Sequence, residues 1–225
     1  MAELIANHEQ IVLDVINEYL DKNRYFSIND ILPFITSRFA KSGINLNING
    51  IRTILRLLVE KNIIVEGSKL TKDDIMSNFN RKKIYNYICE NPGIHFNKIV
   101  SNLNLNIPVV EWHLNMLIKF MYIDKEKIDN LDTYFNINIK PEDRMLIFLT
   151  SNDNYRKIID FIIENQEGSS KHQISEQLSM HSTTVNKYVA RLLEYGIITK
   201  KSLPNKTLFF LNQIYYGKFK QNLKN

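Results

Sequence analysis

The sequence predicts a mainly α protein with small β-hairpins (α+β), built as three tandem units. Two observations predict it. First, Val110–Ile123 aligns without a gap onto Val185–Ile198, and Ile51–Ile64 is a looser double. Each segment reads as an apolar-faced helix that stops at a small or flexible residue and enters a short β-branched strand. Second, the apolar pairs Ile84/Ile159, Ile88/Ile163, Ile99/Ile174, Leu103/Leu178, Val110/Val185, Leu114/Val189, Leu117/Leu192 and Ile123/Ile198 all keep one offset of 75 residues. Within each helix they fall three, four or seven apart, the spacing of a core-facing stripe. Repetition at fixed period defines an architecture before any fold analogy is needed. A helix running into a hairpin is how the recognition helix and first wing strand of a winged helix-turn-helix read. The expected fold is therefore three tandem winged helix-turn-helix domains.

The expected boundaries are 1–75, 76–140 and 154–212, with a connecting segment over 141–153 and a basic tail over 213–225. In the first unit, helices are expected over 9–22 and 29–40. An extended turn over 42–47 follows, and Asn47 caps a third helix ending near Lys61. Ile63–Gly67 resembles one wing strand. Its partner is short or missing, because Thr71-Lys72-Asp73-Asp74-Ile75 reads as a capped turn or helix start. The first helix of the second unit covers 80–90 and stops at Asn91-Pro92-Gly93, since Pro cannot continue a helix and Gly accepts left-handed geometry. A second helix covers 96–103. Pro108 suits the first turn of the third helix, where its missing N–H costs nothing. Strands over 122–127 and 133–136 flank the turn Asp129-Asn130. The third unit repeats this order, with helices over 155–165 and 170–178, a third helix capped by Ser182, and strands over 198–202 and 207–211. In the connector, Pro141-Glu142-Asp143 suits a helix start, and 145–149 could form a short packing helix. In the tail, Ile214, Tyr215 and Tyr216 precede Lys218, Lys220 and Lys224.

Composition bounds the function. Among 225 residues only 7 are Gly and 5 Pro, which argues against a turn-rich β-sandwich. No apolar run approaches the ~20 residues that span a bilayer. The N-terminus lacks the basic-then-apolar order of a signal peptide. The lone Cys89 cannot form an internal disulfide and reads as a small buried hydrophobe. A reducing, cytoplasmic setting is expected. The formal charge of +5 is unevenly spread: residues 1–75 carry −1, 76–140 carry +2, 141–153 carry −2 and 154–225 carry +6. A basic C-terminal third is an electrostatic footprint for a polyanion. A solvated Lys-rich surface explains the charge equally well.

Glu90-Asn91-Pro92-Gly93-Ile94-His95-Phe96, the run Trp112-His113-Leu114 and the pair Tyr134-Phe135 carry a family resemblance. Over about 80–212 the chain resembles archaeal predicted transcriptional regulators with two winged helix-turn-helix domains. The resemblance implies binding to double-stranded DNA and dimerisation. Residues 1–75 lie outside it but look like the same fold. The chain departs from the pattern in its second recognition helix, which carries Glu111 and a single terminal Lys119.

Recognition helices present N-terminal side chains to base edges in the major groove. Amide, hydroxyl and basic groups match base edges and phosphates there. The third unit offers Ser182, Thr183, Thr184, Asn186, Lys187 and Arg191 on its helix, and Lys200, Lys201, Asn205 and Lys206 on its wing. The first unit offers Asn47, Asn49, Arg52, Thr53 and Arg56, with Arg52 and Arg56 the main candidates. Trp112 and His113 are expected to pack rather than read bases.

No catalytic constellation emerges. His8, His95, His113, His172 and His181 make no His-x-x-x-His pattern, and no Cys-x-x-Cys exists, so no metal or other cofactor is expected. No Gly-rich phosphate loop or nucleophile elbow appears. The expectation is a non-enzymatic DNA-binding regulator, with the third unit as reader. The alternative is a winged-helix protein-interaction scaffold, like a subunit of the membrane-remodelling ESCRT-II complex or a basal transcription factor. Unit charge and Glu111 favour that alternative in part, and fold alone does not decide between them.

Overall fold

A computed structural model describes the backbone of residues 2–215 and the side chains of 8–215. The expectations for Tyr216, Lys218, Lys220 and Lys224 lie outside the described residues. The chain divides into two compact units, residues 1–90 with 94–137, and 91–93 with 138–225. Three separate apolar cores run through them, one per repeat.

The first core gathers α1 (Ala2–Lys22), α2 (Ile28–Ser42) and α3 (Ile48–Glu60). Val12, Ile16 and Leu20 from α1 meet Ile31, Ile35 and Phe39 of α2 and Ile51, Leu55 and Leu58 of α3. These are the i, i+3, i+4 stripes of three amphipathic helices. Helix α1 begins at Ala2, well before the expected Glu9, and α2 contains Pro33 in its first turns. Gly43 ends α2 in left-handed geometry at φ 66°. Asn47 caps α3 as expected, its side chain accepting the Gly50 N–H at 2.8 Å. The wing shrinks to a single bridge, Ile64 with Thr71. Thr71 cannot extend the strand because it opens the short helix α4 (Lys72–Ile75) through a capping box with Asp74.

What would be wing in this module is spent on its neighbour. Ile75 is buried in the second core, with Val65, Leu70 and Met76 packed against it. The Tyr122 hydroxyl donates to the Lys72 carbonyl at 3.0 Å, and Lys119 Nζ donates to the Glu66 carbonyl at 3.2 Å. The first and second modules thus share one compact unit.

The second module holds α5 (Phe79–Glu90), β1 (Ile94–His95), α6 (Phe96–Leu103), α7 (Ile107–Lys119), β2 (Ile123–Ile128) and β3 (Leu131–Asn136). Asp129 and Asn130 both take positive φ at the hairpin tip, as a two-residue type I′ turn requires. Strand β1 joins the wing, giving an antiparallel sheet of order β1-β3-β2 with Ile94 opposite Tyr134. The pattern of the sequence does not predict this strand, since two residues carry no period. Cys89 corrects another expectation. It is exposed, with the Asn136 side-chain amide 3.2 Å from its sulfur. Its helix turns it away from the Ile84–Ile88 stripe.

The third module comprises α8 (Pro141–Thr150), α9 (Asp153–Glu164), α10 (Lys171–Gln177), α11 (Ser182–Glu194), β4 (Ile198–Leu203) and β5 (Lys206–Leu211). Leu146 and Leu149 of α8 are buried in its core, so the segment 141–153 is part of this module's packing. The β1 contact repeats at the same 75-residue offset: Ser169 bridges Phe209, just as Ile94 faces Tyr134. In the first module Phe26 does the equivalent work, bonding Ser68 and Gly67 through its backbone at 2.8 Å. The second and third repeats therefore tie the segment between their first two helices to the returning wing strand, and the first ties it to the loop that replaces the wing.

Candidate nucleic-acid interface

The three third helices superpose in sequence, so their outward faces can be compared position by position. Ile51, Val110 and Val185 are each fully buried at the same point. The outward positions around them read Ile48, Asn49, Arg52, Thr53 and Arg56 in α3. In α7 they read Ile107, Pro108, Glu111, Trp112 and Asn115. In α11 they read Ser182, Thr183, Asn186, Lys187 and Ala190. Identical scaffolding thus presents three different chemistries.

Helix α11 is the polar and basic one. Ser182, Thr183, Asn186 and Lys187 are exposed, while Thr184 is half-buried beside the core stripe of Val185, Val189 and Leu192. The helix cap is His181, not Ser182. His181 has the extended backbone of an N-cap, and Ser182 already lies within the helix. The imidazole Nδ1 accepts the Thr183 N–H at 3.4 Å and lies 2.8 Å from the Thr183 hydroxyl. The Nδ1 contact leaves Nε2 of this exposed side chain open at the start of the helix. Sequence reasoning missed this residue because His ranks behind Ser as a cap.

Arg191 is less available than its sequence position suggests. Its guanidinium pairs with Glu194 at 2.7 Å and stacks on the Tyr195 ring at 5.0 Å from the centroid. The wing completes the surface. Residues 199–206, which include Lys200, Lys201, Asn205 and Lys206, are all exposed. A strand resting on a core alternates buried and exposed residues. After Ile198, β4 has no buried position, whereas β5 buries Leu208 and Phe209 opposite Lys201 and Lys200, so β4 is the exposed strand of the wing and carries the lysines.

In the first module Arg52 and Arg56 are exposed one turn apart on α3. Asn47 is consumed as the cap, and the Thr53 hydroxyl donates to the Asn49 carbonyl at 2.9 Å. No paired wing strand accompanies them among the described residues.

Helix α7 offers an apolar and acidic face. Ile107 is 57% exposed and Trp112 is 53% exposed, with exposed Glu111 beside them. His113, by contrast, is buried, so only one of this pair packs inside. Burial, and then the charge of Arg81, hold the His113 pKa below its ordinary value. Burial, and then Lys98, do the same to His95. Burial also lowers Arg81, with Asp74 offsetting part of the effect. No group of three or more His, Cys, Asp or Glu able to hold a metal occurs among the described residues. No helix there is long and apolar enough to cross a membrane.

Comparison with known proteins agrees with this architecture. A family model described as an N-terminal HTH domain matches residues 78–147. A second, described as winged helix-turn-helix DNA-binding, matches residues 152–199. An uncharacterized HTH-type transcriptional regulator of Methanocaldococcus jannaschii is 28% identical over 144 residues. That alignment covers 64% of this chain, and the chain spans only 36% of that relative. Among solved structures, a bacterial selenocysteine-specific elongation factor is 14% identical with a TM-score of 0.31, covering 93% of this chain and 30% of that one. The endosomal ESCRT-II complex is 12% identical with a TM-score of 0.24, covering 93% of this chain and 92% of that one. Both scores are too low to carry an argument.

Proposed function

We propose that this chain, a tandem winged helix-turn-helix protein, acts as a DNA-binding transcriptional regulator whose third module reads the duplex. The observation that carries the reading is the pairing of α11 with the exposed strand of its wing. Helix α11 exposes Ser182, Thr183, Asn186 and Lys187, and β4 exposes Lys200 and Lys201. Hydroxyl and amide groups at the helix start suit base edges in the major groove. Lysines on an exposed wing strand suit flanking phosphates, which position a protein without specifying sequence. The family model matching 152–199 supports the same module. Arg52 and Arg56 of α3 form a second, weaker contact, since that module's wing packs on its neighbour. The adaptor reading draws on the acidic first unit and on the apolar and acidic face of α7, and the family models do not favour it.

The test is a titration of the protein against its own upstream DNA and random duplex at two salt concentrations. Binding that falls steeply with salt and prefers the upstream fragment supports the reading. Replacing Lys187, Lys200 and Lys201 by Ala is expected to flatten the log–log salt slope by about 0.9 for each phosphate no longer neutralised. No binding at low salt would sink it.

A further inference from the structure

A groove of 530 Å³ opens in the third module, beside the last turn of α9 and the C-terminal end of β5. That volume falls within the range of small-molecule sites, about 300–1,000 Å³. Its aliphatic lining is Ile162, Ile163 and Leu211, and Phe210 supplies an aromatic wall. Three carboxamides complete it, from Asn165, Gln166 and Gln213. None of these residues is charged. The ring of Phe210 rests on Gly168, where a Cβ would lie 2.5 Å from its Cζ atom. The absence of a Cβ at this glycine is what lets the ring lie there.

We propose that this groove binds a neutral, planar nitrogen heterocycle of purine size, a free nucleobase or nucleoside. An aromatic wall and an aliphatic floor take a flat apolar body. The carboxamides of Gln166 and Gln213 present paired donors and acceptors that match the edge of such a ring, as Asn and Gln match adenine, while Asn165 Nδ2 already donates to the Phe161 carbonyl at 2.8 Å. An ionised ligand would lose hydration with no opposite charge in the lining to replace it. The site also touches the DNA-facing element. Phe210 pairs across the ladder with Thr199, and Leu211 with Ile198, immediately before Lys200 and Lys201. An occupant therefore bears on the strand that supports the wing lysines.

The test titrates adenosine into the full-length protein without DNA, following the side-chain amide NMR signals of Asn165, Gln166 and Gln213. Saturable shifts confined to these groups are expected. Combined Gln166→Ala and Gln213→Ala substitution should weaken binding about tenfold or more, on the scale of one hydrogen bond removed at each site. Ile163→Trp, which fills the groove, should abolish the shifts, and cyclohexanol should not reproduce them. The proposal is overturned by no saturable shift, by full binding in both variants, or by equal competition from cyclohexanol, which would make the groove a merely apolar crevice. Shifts that follow protein concentration alone would overturn it too, by seating a second copy there. Because no DNA is present, failure leaves the reading of α11 standing.

Discussion

The guanidinium of Arg81 lies against the indole of Trp112, 5.1 Å from the ring centroid. The two residues differ sharply in exposure. Arg81 is only 2% exposed, while Trp112 is half in solvent. Arg81 donates to the Ile75 carbonyl at 2.9 Å, yet its Nε is buried without a hydrogen bond. A helix of the second module thus holds a charge inside, covered by an aromatic lid. Truncating the buried side chain leaves a void and an unpaired carbonyl. Arg81→Ala is expected to cost about 2–4 kcal/mol. Arg81→Met, which keeps the volume, should cost less, since apolar isosteres of buried charges are often tolerated. Urea unfolding followed by Trp112 emission measures both, because Trp112 is the chain's single tryptophan.

The same tryptophan tests which helix reads DNA. It stands on the outward face of α7, and α11 lies in another compact unit. Duplex DNA bound through α11 and its wing should leave Trp112 emission and iodide quenching nearly unchanged. Strong quenching on titration would instead place α7 at the nucleic acid.

Protonation should loosen the second module. Burial and Arg81 lower the His113 pKa in the folded state, and burial and Lys98 lower that of His95. A folded pKa below the unfolded value means the unfolded chain binds more protons, so stability rises with pH. The contribution is fully present above the ordinary value of about 6.5 and is lost as pH falls through the lowered values. The urea midpoint should therefore drop between pH 7 and pH 5. His113→Gln should flatten the dependence in part, leaving the share of His95.

Arg191 offers a gain-of-function test. Its ion pair with Glu194 is on the same helix, and such partly exposed pairs contribute little stability, about 0–1 kcal/mol. Glu194→Gln should leave the fold intact, release the guanidinium from this carboxylate and remove a negative charge near the phosphates. A several-fold tighter binding at low salt is expected, shrinking as salt rises. Unchanged affinity would exclude Arg191 from the interface.

Gly168 should tolerate no side chain. Its positive φ strains any L residue, and a Cβ would strike Phe210 and crowd Leu208. Gly168→Ala is expected to lower the third module's stability by more than about 1 kcal/mol, read as an earlier unfolding transition by circular dichroism.

Sequence alone determined the repeat and its cores. Apolar spacing is a local property, so Ile84/Ile159, Val110/Val185 and Ile123/Ile198 could be paired along the chain, and all six are buried. Caps with strong local chemistry, such as Asn47, were legible for the same reason. Tertiary structure decided what depends on contacts between distant residues. Only folding joins Ser169 to Phe209 and Ile94 to Tyr134, since strand pairing of one or two residues leaves no periodic trace. Only folding spends the first wing on the second core, turns Cys89 outward and ties Arg191 to Glu194. A helical pattern shows which face is apolar, but not what the opposite face meets, because exposure and pairing are set by neighbours the local spacing does not encode.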